Sequence, residues 1–291
     1  MNFDRSLDVA AGQVVQLSPL VSRLLAPNPG PFTFRGTGVH IVGAGHQIAV
    51  IDPGPDMPEH IAALKQALGS RRVGHILITH THRDHSPAAA ALKAWRGAAT
   101  YGLPAANAVT AGEGTVDEAH DHQFVPDVRV HDGMQIKGED YVLTCIATPG
   151  HAANHVCYAL EEERALFSGD HVMGWSTSVI APPDGDMGQY LASLDKLMAR
   201  DDRILYPTHG SPIANPSDWL GQLIAHRRKR EAQIVDALRG NANTILVIVE
   251  KLYPDILPGL ASAAAQQVKA HLDHLIARGL AARDGDSYSL K

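Results

Sequence analysis

The chain contains 291 residues, of which 45% are hydrophobic and 19% are charged, and its formal net charge at pH 7 is −6. This composition is typical of a globular protein and excludes an intrinsically disordered chain, and the length suits one large domain and a small one. The acidic balance also argues against a protein that binds nucleic acid over a broad surface.

The first residues do not resemble an export signal. In MNFDRSLDVAAGQ, the charged residues Asp4, Arg5 and Asp8 interrupt the stretch that a secretory signal keeps apolar, and no later run approaches the length of a membrane span. We therefore expect a cytoplasmic protein with no membrane segment. The two cysteines, Cys145 and Cys157, lie in apolar strand-like segments, which predicts buried free thiols rather than a disulfide.

The first part of the chain alternates between short β-rich apolar runs and helical patterns, a rhythm that predicts an α/β fold. In chain order these runs are QIAVID, PEHIAALKQAL, HILIT, PAAAALKAW, YVLTCIATPG, HVCYAL, RALFSGD, MGQYLASLDKLMAR and RILYPTHG. A charged turn, EEE, joins HVCYAL to RALFSGD and predicts an antiparallel hairpin. We therefore expect a mixed α/β (α+β) arrangement rather than a purely parallel, doubly wound sheet.

Beyond Pro216 the pattern changes to three helical segments: WLGQLIAHRRKREAQIVDALRG, NTILVIVEKLYPDI and ASAAAQQVKAHLDHLIARG. The chain then ends in two short arms around Asp284 and Gly285, a strong hairpin signal. Three helices followed by a hairpin are typical of a winged helix. We therefore divide the chain into a catalytic domain at residues 1–215 and a C-terminal winged-helix-like domain at residues 216–291.

Residues that commonly bind metals follow four of the predicted strands. The five histidines and two aspartates concerned are His80, His82, Asp84, His85, His151, Asp170 and His209. Because loops that leave the carboxyl ends of neighbouring strands converge, we expect these side chains to meet. Such a nitrogen-rich set suits Zn²⁺, or else Mn or Fe, better than Mg²⁺ or Ca²⁺. Chance is the alternative, since 12 of the 17 histidines lie outside the set, but four separate segments favour a metal site.

Seven candidate ligands are enough for two divalent metal ions. The alternating pair His80 and His82 can point to one side of an extended turn, while the adjacent Asp84 and His85 diverge toward a second point. Three ligands for each ion leave one carboxylate as a bridge, and Asp170 is the natural candidate because it has two oxygens. Two ions about 3.5–4 Å apart would share a water and present hydroxide to an electrophile. Because no Ser-His-Asp or Cys-His arrangement is visible, we predict hydrolysis with this bridging hydroxide as the nucleophile.

These segments resemble the motifs of the metallo-β-lactamase superfamily. THTHRDH matches its H-x-H-x-D-H signature, and TPGH, SGD and THG match the blocks that carry its other ligands. The resemblance implies two metal ions with Asp170 between them, the first on His80, His82 and His151 and the second on Asp84, His85 and His209.

Within that superfamily, the segment LAPNPGPFTFRGTG, the IDPGP block and the HRRKRE helix are similar to the lactamase-beta-like protein 2 branch. The implied fold is an αββα sandwich, two β-sheets with helices outside and the site along one edge, followed by a small winged-helix domain. In this picture Asp52 either orients a ligand from behind or caps the next helix. Trp175, in the loop after Asp170, is expected either to wall the substrate pocket or to lie in the core.

Three enzymatic functions suit this site. We expect a zinc-dependent metallo-hydrolase that cleaves an ester-like bond in a small substrate such as a thioester or lactone, with Asp84 and Asp170 as catalytic residues. Cleavage of single-stranded RNA is the alternative that the resemblance implies, since animal members of the branch are ribonucleases and two ions suit phosphodiesters. β-Lactam hydrolysis is less favoured because zinc β-lactamases replace the bridging aspartate with Cys or Ser.

A regulator that binds nucleic acid through the winged helix is a further alternative. Its predicted recognition helix, ASAAAQQVKAHLDHLIARG, offers only Lys269 and Arg278 as cations, which disfavours phosphate contacts. The basic run from Arg227 to Arg230 is interpreted as a solvated helix face, with a substrate clamp as the alternative. We expect the C-terminal domain instead to pack against the hydrolase, wall the pocket or mediate a homodimer.

Overall fold

The protein is described by a computed structural model that covers residues 1–105 and 120–291. Its first β-sheet has seven strands in sequential order: β1 (Val14–Gln16), β2 (Val21–Leu25), β3 (Gly38–Val42), β4 (Gln47–Ile51), β5 (Arg72–Leu77), β6 (Ala99–Gly102) and β7 (Val128–Arg129). Strands β1 to β4 pair antiparallel, and β4 to β7 pair parallel. The sheet is therefore mixed, as the sequence predicts.

The second sheet has six strands: β8 (Gln135–Lys137), β9 (Val142–Ala147), β10 (Val156–Leu160), β11 (Ala165–Gly169), β12 (Ile204–Pro207) and β13 (Ile213–Ala214). They also lie in sequential order, and every pair is antiparallel except β11 and β12, which run parallel. The predicted hairpin is confirmed as β10 and β11, joined by a 3₁₀ turn at Glu161–Glu163.

The two sheets pack face to face, and helices cover both outer faces. Successive strand residues point to opposite faces, so Tyr158 and Phe167 enter the core between the sheets while Cys157 and Leu166 face outward. The helices α1 (Pro58–Leu68) and α2 (Ala88–Arg96) cover the first sheet, and α3 (Met187–Met198) and the start of α4 (Pro216–Arg239) cover the second. The predicted αββα sandwich is confirmed.

The C-terminal part forms a second core. Helices α5 (Ile245–Leu252) and α6 (Ala261–Ala277) pack with the end of α4 and with a hairpin of β14 (Ala281–Asp284) and β15 (Ser287–Leu290). The predicted winged helix and its hairpin are confirmed. One helix serves both cores, because Leu223 of α4 packs in the sandwich and Ile234, further along α4, packs in the winged helix.

The remaining features concern the cysteines and the helix lengths. Cys145 and Cys157 are buried and free, which confirms the prediction. Across residues 1–105 and 120–291, no helix combines the length and the apolarity that a membrane crossing needs.

Candidate metal centre

The ends of parallel strands bring the predicted ligands to one edge of the sandwich. In the first sheet, Asp52 directly follows β4, and the stretch THTHRDH follows β5. In the second sheet, β11 leads into Asp170 and its parallel neighbour β12 leads into His209. Because the two sheets pack face to face, the loops that follow β4, β5, β11 and β12 meet at one edge of the sandwich.

The residue before Asp170 must be a glycine. Gly169 has φ = +52°, in the left-handed region that glycine adopts without strain. A Cβ there would lie 2.5 Å from Nε2 of His155 and 2.9 Å from Cβ of Thr79. The SGD sequence thus lets the chain turn tightly at the end of β11 and aim Asp170 at the site.

One group of ligands, called the first group here, consists of His80, His82 and His151, whose candidate ligand atoms all lie within 4.8 Å of one another. Nε2 of His80 is 2.7 Å from Nδ1 of His82. Nε2 of His151 is buried and has no hydrogen-bond partner among the described residues. Burial lowers the pKa of His151, and it lowers the pKa of His80 and of His82 well below the ordinary value. These imidazoles are therefore neutral at pH 7, as a metal ligand must be.

The second group consists of Asp84, His85 and His209, whose ligand atoms also lie within 4.8 Å. Oδ2 of Asp84 is 3.3 Å from Nε2 of His85 and 3.1 Å from Nε2 of His209.

Asp170 adjoins both groups. Its Oδ2 is 3.6 Å from Nε2 of His85 and 3.4 Å from Nε2 of His209 in the second group. It also lies within ligand distance of His80 in the first. Its other oxygen, Oδ1, is buried without a hydrogen-bond partner in the described part of the chain. The carboxylate thus occupies the position between the groups.

The electrostatic environment of the second group favours a bound cation. Burial opposes a charge on His209, but Asp170 and Asp84 outweigh burial and raise the pKa of His209 to about 10. The neighbouring aspartates likewise raise the pKa of His85 well above its ordinary value against the effect of burial. The carboxylates of Asp84 and Asp170 therefore favour positive charge at this position, and a divalent ion would supply that charge in place of the protons. The donor set and the buried, unpaired ring nitrogens fit divalent metal ions.

Asp52 supports the site from behind. Its Oδ2 accepts hydrogen bonds from Nδ1 of His85 at 2.9 Å, from Oγ1 of Thr79 at 2.7 Å and from Oγ1 of Thr208 at 3.0 Å. Oδ1 accepts from the backbone N–H of Thr79 at 2.8 Å. The next helix, α1, begins only at Pro58, and its N-cap is Met57. Asp52 thus lies where it orients the ring of His85.

Backbone carbonyls orient two other candidate ligands. Nδ1 of His151 donates to the carbonyl of Val179 at 2.6 Å, and Nδ1 of His209 donates to the carbonyl of Gly36 at 3.1 Å. In each ring the opposite nitrogen, Nε2, is then left to bind a metal.

Apart from Asp52, sequence reasoning missed the groups behind the ligands, and only some of them left a signal. Thr79 and Thr208 each stand directly before a candidate ligand, so the repeated Thr-His pairs were a usable signal. The carbonyls of Val179 and Gly36 left none, because a backbone oxygen has no residue-specific signature.

Asp84 is tied to the glycine-threonine loop that precedes β3. The hydroxyl of Thr37 donates to Oδ2 of Asp84 at 3.0 Å. Asn28 holds Thr37 in turn, since its Nδ2 donates to the Thr37 hydroxyl and its Oδ1 accepts from the Thr37 N–H, both at 2.9 Å. The side chain of Asp84 is 24% exposed, so this carboxylate is open to solvent at the site.

Trp175 lies beside the site. Its ring stacks on Phe34 with a centroid distance of 4.9 Å and an interplanar angle of 13°. A Cβ on Gly210, the residue after His209, would lie 3.0 Å from Cδ1 of Trp175. The indole is partly exposed and forms an aromatic wall next to a candidate ligand.

One additional polar pair borders the first group. Nε2 of His120 lies 3.0 Å from Oδ2 of Asp184, and these two side chains come within ligand distance of His82. Sequence reasoning missed this pair because neither residue directly follows a predicted strand.

Two family models match the chain. The Metallo-beta-lactamase superfamily model matches residues 33–209, which include every candidate ligand, and the Beta-lactamase associated winged helix domain matches residues 244–289. This protein belongs to the metallo-β-lactamase superfamily. The resemblance seen in the sequence motifs is thereby confirmed.

Individual relatives refine this result. The chain is 32% identical to the Beta-lactamase-like protein 2 homolog of Caenorhabditis elegans over 92% of its own length and 88% of that protein, which confirms the predicted branch. It is 34% identical to an Atrochrysone carboxyl ACP thioesterase of Paecilomyces divaricatus over 77% of its length, an alignment that covers 66% of that relative.

A solved structure, a Beta-lactamase domain protein from Burkholderia ambifaria, shares the fold. Its TM-score is 0.83 at 20% identity, with 98% of this chain and 96% of that chain covered. The similarity thus extends over both the sandwich and the winged helix.

Proposed function

We propose that this protein is a dinuclear metallo-hydrolase that cleaves a thioester or a similar ester-like bond in a small substrate. The observation that carries the proposal is the position of Asp170, whose carboxylate adjoins both groups of imidazoles. A carboxylate in that position suits two cations held side by side. Zinc is the proposed metal because His nitrogens and Asp oxygens are its usual ligands, and Mn or Fe would accept the same set.

In this proposal the first group would hold one ion and the second group the other, and Asp170 would be available to both. Such ions, when bound, polarise a carbonyl oxygen and activate water at neutral pH. The chain supplies the orientation: Asp52 fixes the ring of His85, and the carbonyl of Val179 fixes that of His151. Fixed rings avoid a reorganisation cost when the substrate binds.

Asp84 is the proposed proton carrier. Its partly exposed carboxylate lies in the second group, where it can take a proton from the attacking water and return it to the leaving thiol or alcohol. The Thr37 hydroxyl donates to Oδ2 of this carboxylate and holds it in place. Asp84 thus combines ligand and acid-base functions in one side chain.

The substrate class rests on two further observations. A relative with 34% identity is named a thioesterase, and the stacked rings of Phe34 and Trp175 provide an apolar wall for an acyl group. RNA cleavage has less support, because the chain carries a formal net charge of −6 and Arg227, one of the four residues of its basic run, is buried away from solvent.

Metal analysis joined to a substrate screen tests the proposal. We expect the purified chain to bind about two divalent ions and to hydrolyse acyl thioesters faster than lactones, single-stranded RNA or a β-lactam. Asp170→Asn should lose both metal and hydrolysis. A chain that stays empty after dialysis against Zn²⁺, Mn²⁺ and Fe²⁺ would exclude the metal centre. Preferential RNA cleavage, with affinity that falls steeply as salt rises, would replace the thioesterase assignment by a ribonuclease.

A further inference from the structure

A buried arginine of α4 connects the C-terminal part to a loop beside the candidate metal centre. Arg227, in the middle of α4, is only 3% exposed, which corrects the prediction that the whole basic run from Arg227 to Arg230 is solvated. Its Nη2 donates to the carbonyl of Ser178 at 2.5 Å. Nε2 of Gln267, on α6, donates to the same carbonyl at 3.0 Å, and Nη1 of Arg227 donates to Oε1 of Gln267 at 3.0 Å. Side chains from two helices of the C-terminal part thus hold one carbonyl.

That carbonyl belongs to the residue next to Val179, whose own carbonyl accepts the Nδ1 proton of His151. The two oxygens stand on consecutive peptide planes, so fixing the first plane restricts the rotation of the second. A chain of contacts therefore runs from Arg227 and Gln267 through Ser178 and Val179 to a candidate metal ligand.

The same loop is anchored at a second point. The hydroxyls of Ser178 and Tyr190 both donate to the carbonyl of His171, at 2.9 and 3.1 Å, and His171 directly follows Asp170. The guanidinium of Arg227 lies 5.1 Å from the ring centroid of Tyr190. The loop after Asp170 is thus fixed against α3 and α4.

Burying a guanidinium among neutral acceptors is costly. No Asp or Glu of the described chain forms an ion pair with Arg227, and its contacts are carbonyl and amide oxygens and an aromatic ring. If packing were the only requirement, an apolar side chain would fill this space without the desolvation penalty of a buried charge. The planar guanidinium offers instead what packing cannot, namely several donors in a fixed geometry that reach two acceptors at once.

We propose that Arg227 and Gln267 are positioning residues for His151, and that the C-terminal part thereby completes the first ligand group. The inference rests on the proposed metal centre. Partners behind a metal ligand typically change metal affinity about 10- to 100-fold when they are removed. Arg227 and Gln267 act one contact further back than the Val179 carbonyl, so loss of either side chain should weaken metal binding by up to about 10-fold, the lower end of that range.

The experiment measures Co²⁺ binding by the full-length protein. Affinity is determined by competition with a chelator, and the absorption spectrum of the bound Co²⁺ reports the ligand geometry. The variants are Arg227→Met, Gln267→Leu and Arg227→Lys, with Arg228→Met at the adjacent exposed position as the matched control. We expect weaker binding and a changed spectrum in the first two, partial recovery with Lys, and wild-type behaviour in the control.

The outcomes separate the two proposals. If Arg227→Met and Gln267→Leu keep wild-type affinity and spectrum, the inference is wrong, and a lowered unfolding temperature in the same variants would assign the two side chains to stability alone. If Arg227→Met does not fold, Gln267→Leu decides, since its side chain is only partly buried. A wild-type chain that binds no Co²⁺ would overturn the metal centre and the inference with it, whereas unchanged variants of a metal-binding wild type overturn only the inference.

Discussion

Nδ1 of His85 lies 2.9 Å from Oδ2 of Asp52, and this bond turns the opposite ring nitrogen toward Asp84 and Asp170. The aspartate that directly follows β4 therefore decides which nitrogen is presented by a candidate ligand in the loop after the next strand. A carboxylate behind an imidazole also makes the ring a stronger electron donor toward a metal.

Replacing Asp52 by Asn should lower metal affinity about 10- to 100-fold while leaving every candidate ligand in place. The amide keeps the shape, but it loses the charge that favours a proton on Nδ1 of His85, and one of its ends can no longer accept hydrogen bonds. Chelator competition with Zn²⁺ measures the effect. Asp56→Asn is the control, because Asp56 is exposed and near in sequence. Equal affinities in both variants would show that Asp52 does not orient His85.

Asp84→Asn should reduce kcat by about 10²- to 10⁴-fold and change KM much less, because a proton carrier acts mainly in the transition state. The assay uses metal-replete protein and an acyl thioester, and metal content is measured in the same samples because Asp84 is also a candidate ligand.

Thr37→Val provides the matched test of this idea. It removes the hydroxyl that donates to Oδ2 of Asp84 but leaves the carboxylate itself. We expect a smaller loss of kcat with full metal content. Undiminished turnover in metal-replete Asp84→Asn would exclude Asp84 as the proton carrier.

The protein should lose stability in acid through His40, a buried histidine of β3. Burial, assisted by the nearby Arg23, lowers the pKa of His40 to about 3, and its Nε2 has no hydrogen-bond partner within the described chain. Its ring packs 5.1 Å from Phe167 and 6.0 Å from Tyr206. The unfolded chain binds a proton there at about pH 6.5 and the folded chain does not, so this contribution is complete above pH 6.5 and is lost as the pH falls toward 3.

The expected slope is about 1.4 kcal/mol per pH unit for one proton. Urea unfolding of metal-free protein between pH 6.5 and 4 measures it. His40→Phe should reduce the slope of the unfolding free energy against pH by about that amount, while His46→Gln at an exposed position should leave the slope unchanged. If plots of unfolding free energy against pH run parallel for wild type and His40→Phe, His40 does not titrate as described.

A metal ligand can be predicted from the sequence when both its side-chain type and its position after a strand are visible there. His80 and His209 were predictable because each is a ligand-type side chain directly after an apolar strand, and strand ends converge. Arg227 was misinterpreted because a run of four basic residues resembles a solvated face, and its burial depends on a loop remote in sequence. Strand β2 was not predicted, since it is buried along its whole length and carries Arg23 among its apolar residues, so it shows no alternation.

The last prediction concerns α4, which joins the two cores. Leu223 of this helix is 1% exposed and packs on the second sheet, so Leu223→Ala should lower the free energy of unfolding by about 2–5 kcal/mol through lost burial and a cavity. Leu246 of α5 is 71% exposed, and Leu246→Ala should change stability by less than about 0.5 kcal/mol. Urea unfolding of the full-length protein compares the two. Equal effects would show that α4 does not belong to the sandwich core. A large effect of Leu223→Ala alone would mean that removing α4 exposes the second sheet, so the sandwich depends on this helix for its fold.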